Sequence, residues 1–337
     1  MAKRVGTDTV LCETLPQILS SAAIVGKKEG EGPLQEHFDL IHEDTTLCEK
    51  SWEKAESRLQ SEALSRALDK AVLAPADVQV IFAGDLLNQC IGSAFGLRSS
   101  NIPFLGQYGA CSTMAQTIAM ASLFVEGGIA RVAAAVTSSH FCSAERQFRF
   151  PLEYGGVRAP TSQWTVTGAG AAVVGHGGDE SCPYVRAVTV GRIVDLGIKD
   201  ANNMGAAMAP AACSTISAFL RDTGTQPQDY DLILTGDLGY TGSQLLIDLL
   251  KRENIDIHQN HADCGLLIFD REKQDVKAGG SGCGCAGSVF CSYVMHRLCK
   301  KELRNILFIA TGALMSPTSS QQGESIPGIA HLLNICS

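Results

Sequence analysis

The chain writes one pattern twice. Pro75-Ala76-Asp77-Val78-Gln79-Val80-Ile81-Phe82-Ala83-Gly84-Asp85-Leu86 lies against Pro227-Gln228-Asp229-Tyr230-Asp231-Leu232-Ile233-Leu234-Thr235-Gly236-Asp237-Leu238, an apolar run ending in Gly-Asp in both copies. The stretch from Gly109 to Ser138 lies equally well against Gly282 to Thr311, with Arg131 meeting Arg304. A duplicated unit of alternating strands and helices predicts an α/β protein with two similar halves, residues 1–180 and 181–337, related by a pseudo-twofold axis. Helices from both halves are expected between two mixed sheets, giving an αβαβα layered sandwich.

Local patterns agree with that order. Ala22 to Gly26, Val78 to Ala83, Arg131 to Val136 and Thr165 to Gly175 read as strands of the first half. Trp52 to Val72 has Ala, Leu and charged residues at helical spacing, and a second helix follows Cys111 and ends at Gly127-Gly128. In the second half, Tyr184 to Val194, Tyr230 to Thr235 and Ile306 to Ala310 read as strands. Ala206 to Leu220, a short piece near Leu245 to Leu250 and a long stretch after a glycine turn read as helices. The polar segment from Phe141 to Gln163 is the least regular part.

Composition narrows the function. A formal charge of −8 without any Lys/Arg run argues against nucleic acid as the principal partner. The start, Met1-Ala2-Lys3-Arg4-Val5, lacks the apolar core of a secretory signal. The best membrane-span candidate, Ile118 to Val136, contains Glu126 and Arg131, so no spanning helix is expected. Thirteen cysteines at scattered spacing read as reduced thiols.

One of those thiols has a special setting, Gln107-Tyr108-Gly109-Ala110-Cys111-Ser112-Thr113-Met114-Ala115. Small residues on both sides allow a sharp strand-to-helix bend that lifts the Cys111 side chain into a cavity. At a helix N-terminus, N–H groups and the helix dipole favour a thiolate and a neighbouring anion. Read alone, this is an acyl-accepting nucleophile.

A duplicated α/β unit with its cysteine on an Ala-Cys-Ser-Thr turn resembles the thiolase and ketoacyl-synthase superfamily. More narrowly, Ser138-Ser139-His140, Glu145-Arg146-Gln147-Phe148-Arg149-Phe150-Pro151 and Thr165-Val166-Thr167-Gly168-Ala169-Gly170 resemble the stage V sporulation protein AD family. Asp263-Cys264-Gly265-Leu266-Leu267-Ile268, Gly279-Gly280-Ser281-Gly282-Cys283-Gly284-Cys285 and Gln321-Gln322-Gly323-Glu324-Ser325-Ile326-Pro327 resemble the same family. The likeness implies a thiolase-like fold, a homodimer, and binding of dipicolinic acid (pyridine-2,6-dicarboxylate) for uptake into the developing endospore. It further implies work beside membrane subunits of the stage V sporulation A complex, at the spore inner membrane.

The catalytic partners that the superfamily pattern places beside the cysteine are absent. Where ketosynthases carry His-Gln-Ala-Asn, this chain reads Gly236-Asp237-Leu238-Gly239. Where thiolases have Gly-His-Pro, it reads Val276-Lys277-Ala278, and the place of the second thiolase cysteine reads Ala310-Thr311-Gly312-Ala313. Carbon–carbon bond formation needs a base and donors for an enolate oxygen. A binding protein built on an enzyme fold is therefore expected, with Cys111 as a vestigial nucleophile. The alternatives are a Cys111-dependent acyltransferase or condensing enzyme, and a scaffold that binds only its membrane partners.

A dicarboxylate, free or as its calcium chelate, needs groups that replace its hydration. Arg146, Arg149 and Arg158 are candidates because an Arg fork matches a carboxylate; solvated or ion-paired arginines are the plainer alternative. His140, at a strand end near the cysteine, is either a pocket residue or a satisfied structural histidine. Asp237 stands in the lost histidine's place, with turn chemistry as its alternative, and Lys277 offers a positive charge or is simply exposed. Backbone N–H groups of the turn holding Gly280 and Gly282 complete the expected set. His258, His261 and His296 are expected at the surface. No cofactor and no metal is expected: Gly282-x-Gly284-x-x-Gly287 lacks the preceding apolar strand of a dinucleotide site, and Cys283-Gly284-Cys285 lacks a second ligand pair. No basic amphipathic helix marks a lipid contact.

Overall fold

The computed structural model describes residues 2–148 and 157–337. Its first half runs β1 (Gln17–Gly26), α1 (Trp52–Ala71), β2 (Val80–Gly84), α2 (Ile91–Leu97), β3 (Phe104–Gly106), α3 (Thr113–Glu126), β4 (Val132–Ser139), α4 (Phe141–Phe148) and β5 (Gly168–Gly175). The second half runs β6 (Tyr184–Thr189), α5 (Met204–Thr223), β7 (Leu232–Thr235), α6 (Gly239–Arg252), β8 (His261–Asp263), α7 (Cys283–Val289), β9 (Asn305–Ala313) and β10 (Gly328–Cys336).

Strand order repeats between the halves. The first sheet is ordered β3-β2-β4-β5-β1 and the second β8-β7-β9-β10-β6, with β6 touching β1 through Tyr184 and Gln17. In each sheet the first two pairings are parallel and the next two antiparallel. The expected duplication is thus visible in the hydrogen bonds themselves.

Layering follows from which faces are apolar. Small and branched side chains of both sheets, Phe82 and Ala135 from one and Phe308 and Leu333 from the other, close on α3 and α7 in one core. α1 covers the outer face of the first sheet through Leu59, Ala63 and Leu64. α5 and α6 cover the second through Met208, Ile216 and Leu246. Ser51 caps α1 by accepting from the Lys54 N–H, and Val72 ends it in the left-handed region.

Several elements depart from the sequence expectation. β6 stops at Thr189, where the chain leaves the sheet, and Val194 keeps only an isolated bridge to Gly328. α6 is longer than expected because Asp263 accepts from the Leu238 and Gly239 N–H groups at its start. Phe141–Phe148 forms a helix inside the segment expected to be irregular, and β10 had no assigned strand. Among the described residues no helix is long and apolar enough to cross a membrane.

The interior holds an unusual number of carboxyls. Burial pushes Glu29 and Asp237 up to about 7 and Asp263 up to about 6. Glu56, buried beside Asp85 and hydrogen-bonded by Ser138 and Ser143, is also raised well above its ordinary value. Groups whose folded pKa is raised stabilise the fold fully only below their unfolded pKa, near 4. That contribution is lost as pH rises through the folded values. The melting temperature is therefore expected to fall between pH 5.5 and 8.5, and Glu56→Gln to flatten the fall, as read by calorimetry.

Candidate functional site

Four close contacts build the Cys111 turn. Ser112 Oγ donates to the Gly109 carbonyl at 2.7 Å and Thr113 Oγ1 to the Ala110 carbonyl at 2.7 Å. The N–H groups of Ser112 and Thr113 donate to the same two carbonyls. Ala110 takes a positive φ of 48°, which aims the next side chain across the sheet ends. Gly312, at the end of β9, comes so close that a Cβ there would stand 2.3 Å from the Gly109 carbonyl oxygen. The second half thereby closes directly under the elbow.

Above the elbow lies a cleft of about 410 Å³, its solvent-open mouth included. The elbow contributes Tyr108, Ala110 and Cys111, α4 contributes Ala144, Glu145 and Phe148, and Leu86 and Thr165 complete the first half's share. The second half adds Met204, Ser281, Ala313 and Met315. The walls are mainly apolar, with hydroxyls of Tyr108, Thr165 and Ser281 and one carboxylate. Neither lysine, arginine nor histidine lines it among the described residues.

Asp237 sits directly behind Cys111 and Ser281, without exposure to solvent. Its Oδ2 accepts from the Gly282 N–H at 2.8 Å and from Ser281 Oγ at 3.3 Å, and its Oδ1 from Thr311 Oγ1 at 2.9 Å. The Cys111 thiol lies close enough to feel the same carboxyl. Burial first, and then the Asp237 charge, hold the Cys111 thiol well above its ordinary range. This corrects the thiolate expected from the helix N-terminus: the elbow presents a neutral thiol, because desolvation and a carboxylate outweigh the dipole.

Other sequence candidates are distributed more widely. His140 is buried; its Nδ1 accepts from the Cys142 N–H at 3.2 Å, so its Nε2 carries the proton and donates to the Thr45 carbonyl at 2.7 Å. It is a satisfied structural histidine outside the cavity wall. Arg146 pairs with Glu53 over the Trp52 ring and lines a shallow outer groove. The Arg158 guanidinium donates to the Gln163 carbonyl and lies 3.7 Å from Glu145 Oε1, one layer behind the wall. Arg149 lies outside the described residues. Lys277 pairs with Asp275 at 2.7 Å and does not line the cavity. The Gly282 N–H is committed to Asp237 and the Gly280 carbonyl accepts from Gln163, so this turn organises the site from behind.

Asp85, the duplicate of Asp237, does turn work: it accepts from the N–H groups of Leu87 and Ser93. His261 is not a surface residue. It is half-buried, bonds Thr235 Oγ1 at 3.0 Å, and is held down to about 4 by burial. Glu145 escaped the sequence-based site although it lies in the quoted Glu145-Arg146 segment; attention went to its basic neighbours. Met204, Met315 and Phe148 had no signal beyond being apolar.

Known proteins place this geometry. The family model for stage V sporulation protein AD matches residues 6–336. Stage V sporulation protein AD of Bacillus subtilis (strain 168) is 45% identical over 329 residues, covering 98% of this chain and 96% of that protein. The chain belongs to the stage V sporulation protein AD family. Among solved structures, 3-oxoacyl-[acyl-carrier-protein] synthase III from Aquifex aeolicus VF5 is 14% identical. It superposes with a TM-score of 0.58 over 96% of this chain and 100% of that one. A variant of Xanthomonas campestris OleA is 13% identical, with a TM-score of 0.60 over 97% and 99% of the two chains. At such identities the likeness shows the fold, which is the thiolase-like layered α/β fold of these condensing enzymes.

In this family member a neutral, buried Cys111 is expected to react slowly. Iodoacetamide at pH 7.5 should label the exposed Cys48 and Cys299 at least ~10-fold faster than Cys111, because the thiolate is the reactive form. Peptide mass spectrometry of timed samples reads the order directly.

Proposed function

We propose that this sporulation protein is a non-enzymatic carrier that holds dipicolinic acid in the cavity at Cys111 and passes it to membrane subunits of the stage V sporulation A complex. The observation that carries the reading is the Cys111 thiol set beside the buried Asp237 carboxyl, which stands in the place of the ketosynthase histidine. A neutral thiol facing a carboxylate, in a cavity whose described wall holds no histidine, lacks the thiolate and the imidazole of the ketosynthase pattern.

The lining supports a small aromatic ligand: Leu86, Phe148, Met204 and Met315 offer apolar surface to a planar ring. The Tyr108 hydroxyl supplies a donor for a carboxylate oxygen, whereas Thr165 and Ser281 already donate to Glu145 and Asp237. A wall bearing Glu145 favours a ligand whose charge is partly cancelled, as in the calcium chelate. Peripheral placement at the spore inner membrane then depends on protein partners.

Isothermal titration with dipicolinate, with and without calcium, tests the reading. Saturable one-site binding is expected, with Phe148→Ala weakening it by roughly tenfold through lost ring contact. Turnover of acyl-CoA through a Cys111 adduct, without dipicolinate binding, would instead establish the acyltransferase.

A homodimer is part of the same proposal. β3 is the terminal strand of its sheet, and Phe104, Leu105, Tyr108 and the nearby Ile91 and Phe95 of α2 are all exposed. An exposed apolar edge strand is a pairing template that proteins normally cover. Light scattering should give twice the chain mass, and the double variant Phe95→Asp, Leu105→Asp should give one chain mass without loss of helix content.

A further inference from the structure

The cavity poses a charge problem. The charged side chain in its described wall is Glu145, and the buried Asp237 stands immediately behind it. Arg158 lies 3.7 Å from Glu145, behind the wall, and Arg146 and Lys277 pair elsewhere. An acidic ligand entering here places its negative charge near two carboxyls in a poorly solvated space.

Hydrogen bonding decides which carboxyl can be discharged. Each Asp263 oxygen accepts from a backbone N–H: Oδ2 from Leu238 at 2.8 Å and Oδ1 from Gly239 at 3.0 Å. Oδ2 also accepts from Thr235 Oγ1 at 2.7 Å, but backbone N–H groups only donate, so a proton on either oxygen would compete with a donor that cannot turn to accept it. Asp237 differs. Its backbone donor, Gly282, is on Oδ2, whereas its Oδ1 bonds the Thr311 hydroxyl, which can rotate from donor to acceptor. The Cys111 thiol and the Ser281 hydroxyl can rotate as well. A proton on Oδ1 is therefore accommodated with the surrounding network intact.

Resting on the ligand reading above, we propose that the site binds its acidic ligand together with one proton, which is taken from solvent onto Oδ1 of Asp237. The balance is simple: a dianionic ligand and a proton enter, no covalent bond to the protein forms, and Thr311 Oγ1 turns to accept. The titratable groups around Asp237 are Cys111 from the elbow, Cys283 and Cys285 from α7, and Asp263 and Cys264 at the end of β8. Glu145 and Tyr108 face it from the cavity wall. The four cysteines are held well above their ordinary values and stay neutral, as does Tyr108, which burial also raises. Ligand-free Asp237 is pushed up to about 7 by burial, so it is part-ionised at neutral pH and has a proton vacancy to fill.

Titration of the whole protein with dipicolinate in calcium-free buffer, from pH 6 to 8.5, tests the inference. The ligand's carboxylates stay ionised throughout this range, so a change reports on the protein. The association constant is expected to fall by up to about tenfold per pH unit above neutrality. At pH 7.5 the heat should vary with buffer ionisation enthalpy, in the direction of proton uptake. Asp237→Asn, which keeps an acceptor for Gly282 and a donor for Thr311, should bind at pH 8.5 as wild type does at pH 6, with a flat pH profile. Glu145→Gln should retain the slope.

A pH-independent wild-type affinity, or a wild-type slope in Asp237→Asn with an intact melting transition, overturns proton coupling while leaving the ligand reading standing. Absence of dipicolinate binding at every pH overturns the ligand reading and the coupling with it.

Discussion

Two helices of small residues between two sheets set the terms for the whole molecule. α3 and α7 bring Ala115, Ala119, Ala286 and Val289 to a shared core, and the sheets close on them from both sides. The approach is tight enough that a Cβ on Gly170 of β5 would stand 2.4 Å from the Gly287 carbonyl oxygen. Close-packed interiors of this kind have little room to adjust, so the sheet ends and the elbow between them are held in one arrangement. The cavity at Cys111 is a consequence of that packing: it is what remains where the central helices begin and the two halves meet.

The same packing reassigns the chemistry of the elbow. A cysteine at a helix N-terminus in water would tend toward the thiolate. Here it is buried, and its neighbour from the other half is a carboxyl rather than a basic ring. Desolvation disfavours both charges, and the pair resolves the conflict with a neutral thiol and an aspartate poised near neutrality. In the proposed reading the elbow serves as a polar wall. Gly282 and Ser281 from one turn and Thr311 from β9 hold that wall in place.

Much of the fold was legible from the repeated Pro-x-Asp…Gly-Asp segments, because two copies of one pattern demand two copies of one topology. β10 was not legible. Its residues, Gly328 to Cys336, lack the strict alternation of a half-buried strand, and they become a strand by pairing with β9 along its full length. The site was legible at Cys111 and Asp237, which the superfamily pattern marks. It was not legible at Arg146, Lys277 or His140, because their partners Glu53, Asp275 and Thr45 are chosen by side-chain reach and by packing between distant segments.

The sequence by itself determined the duplicated order of elements, the position of the elbow and the loss of the catalytic histidines, all properties of residue type and spacing. The tertiary structure alone decided which charges face the cavity and in what protonation state they stand. That depends on burial and on partners brought from segments well separated along the chain, as when Thr311 and Gly282 meet Asp237. Spacing specifies what a side chain is able to do; the surrounding dielectric and its hydrogen-bond partners specify which of those things it does.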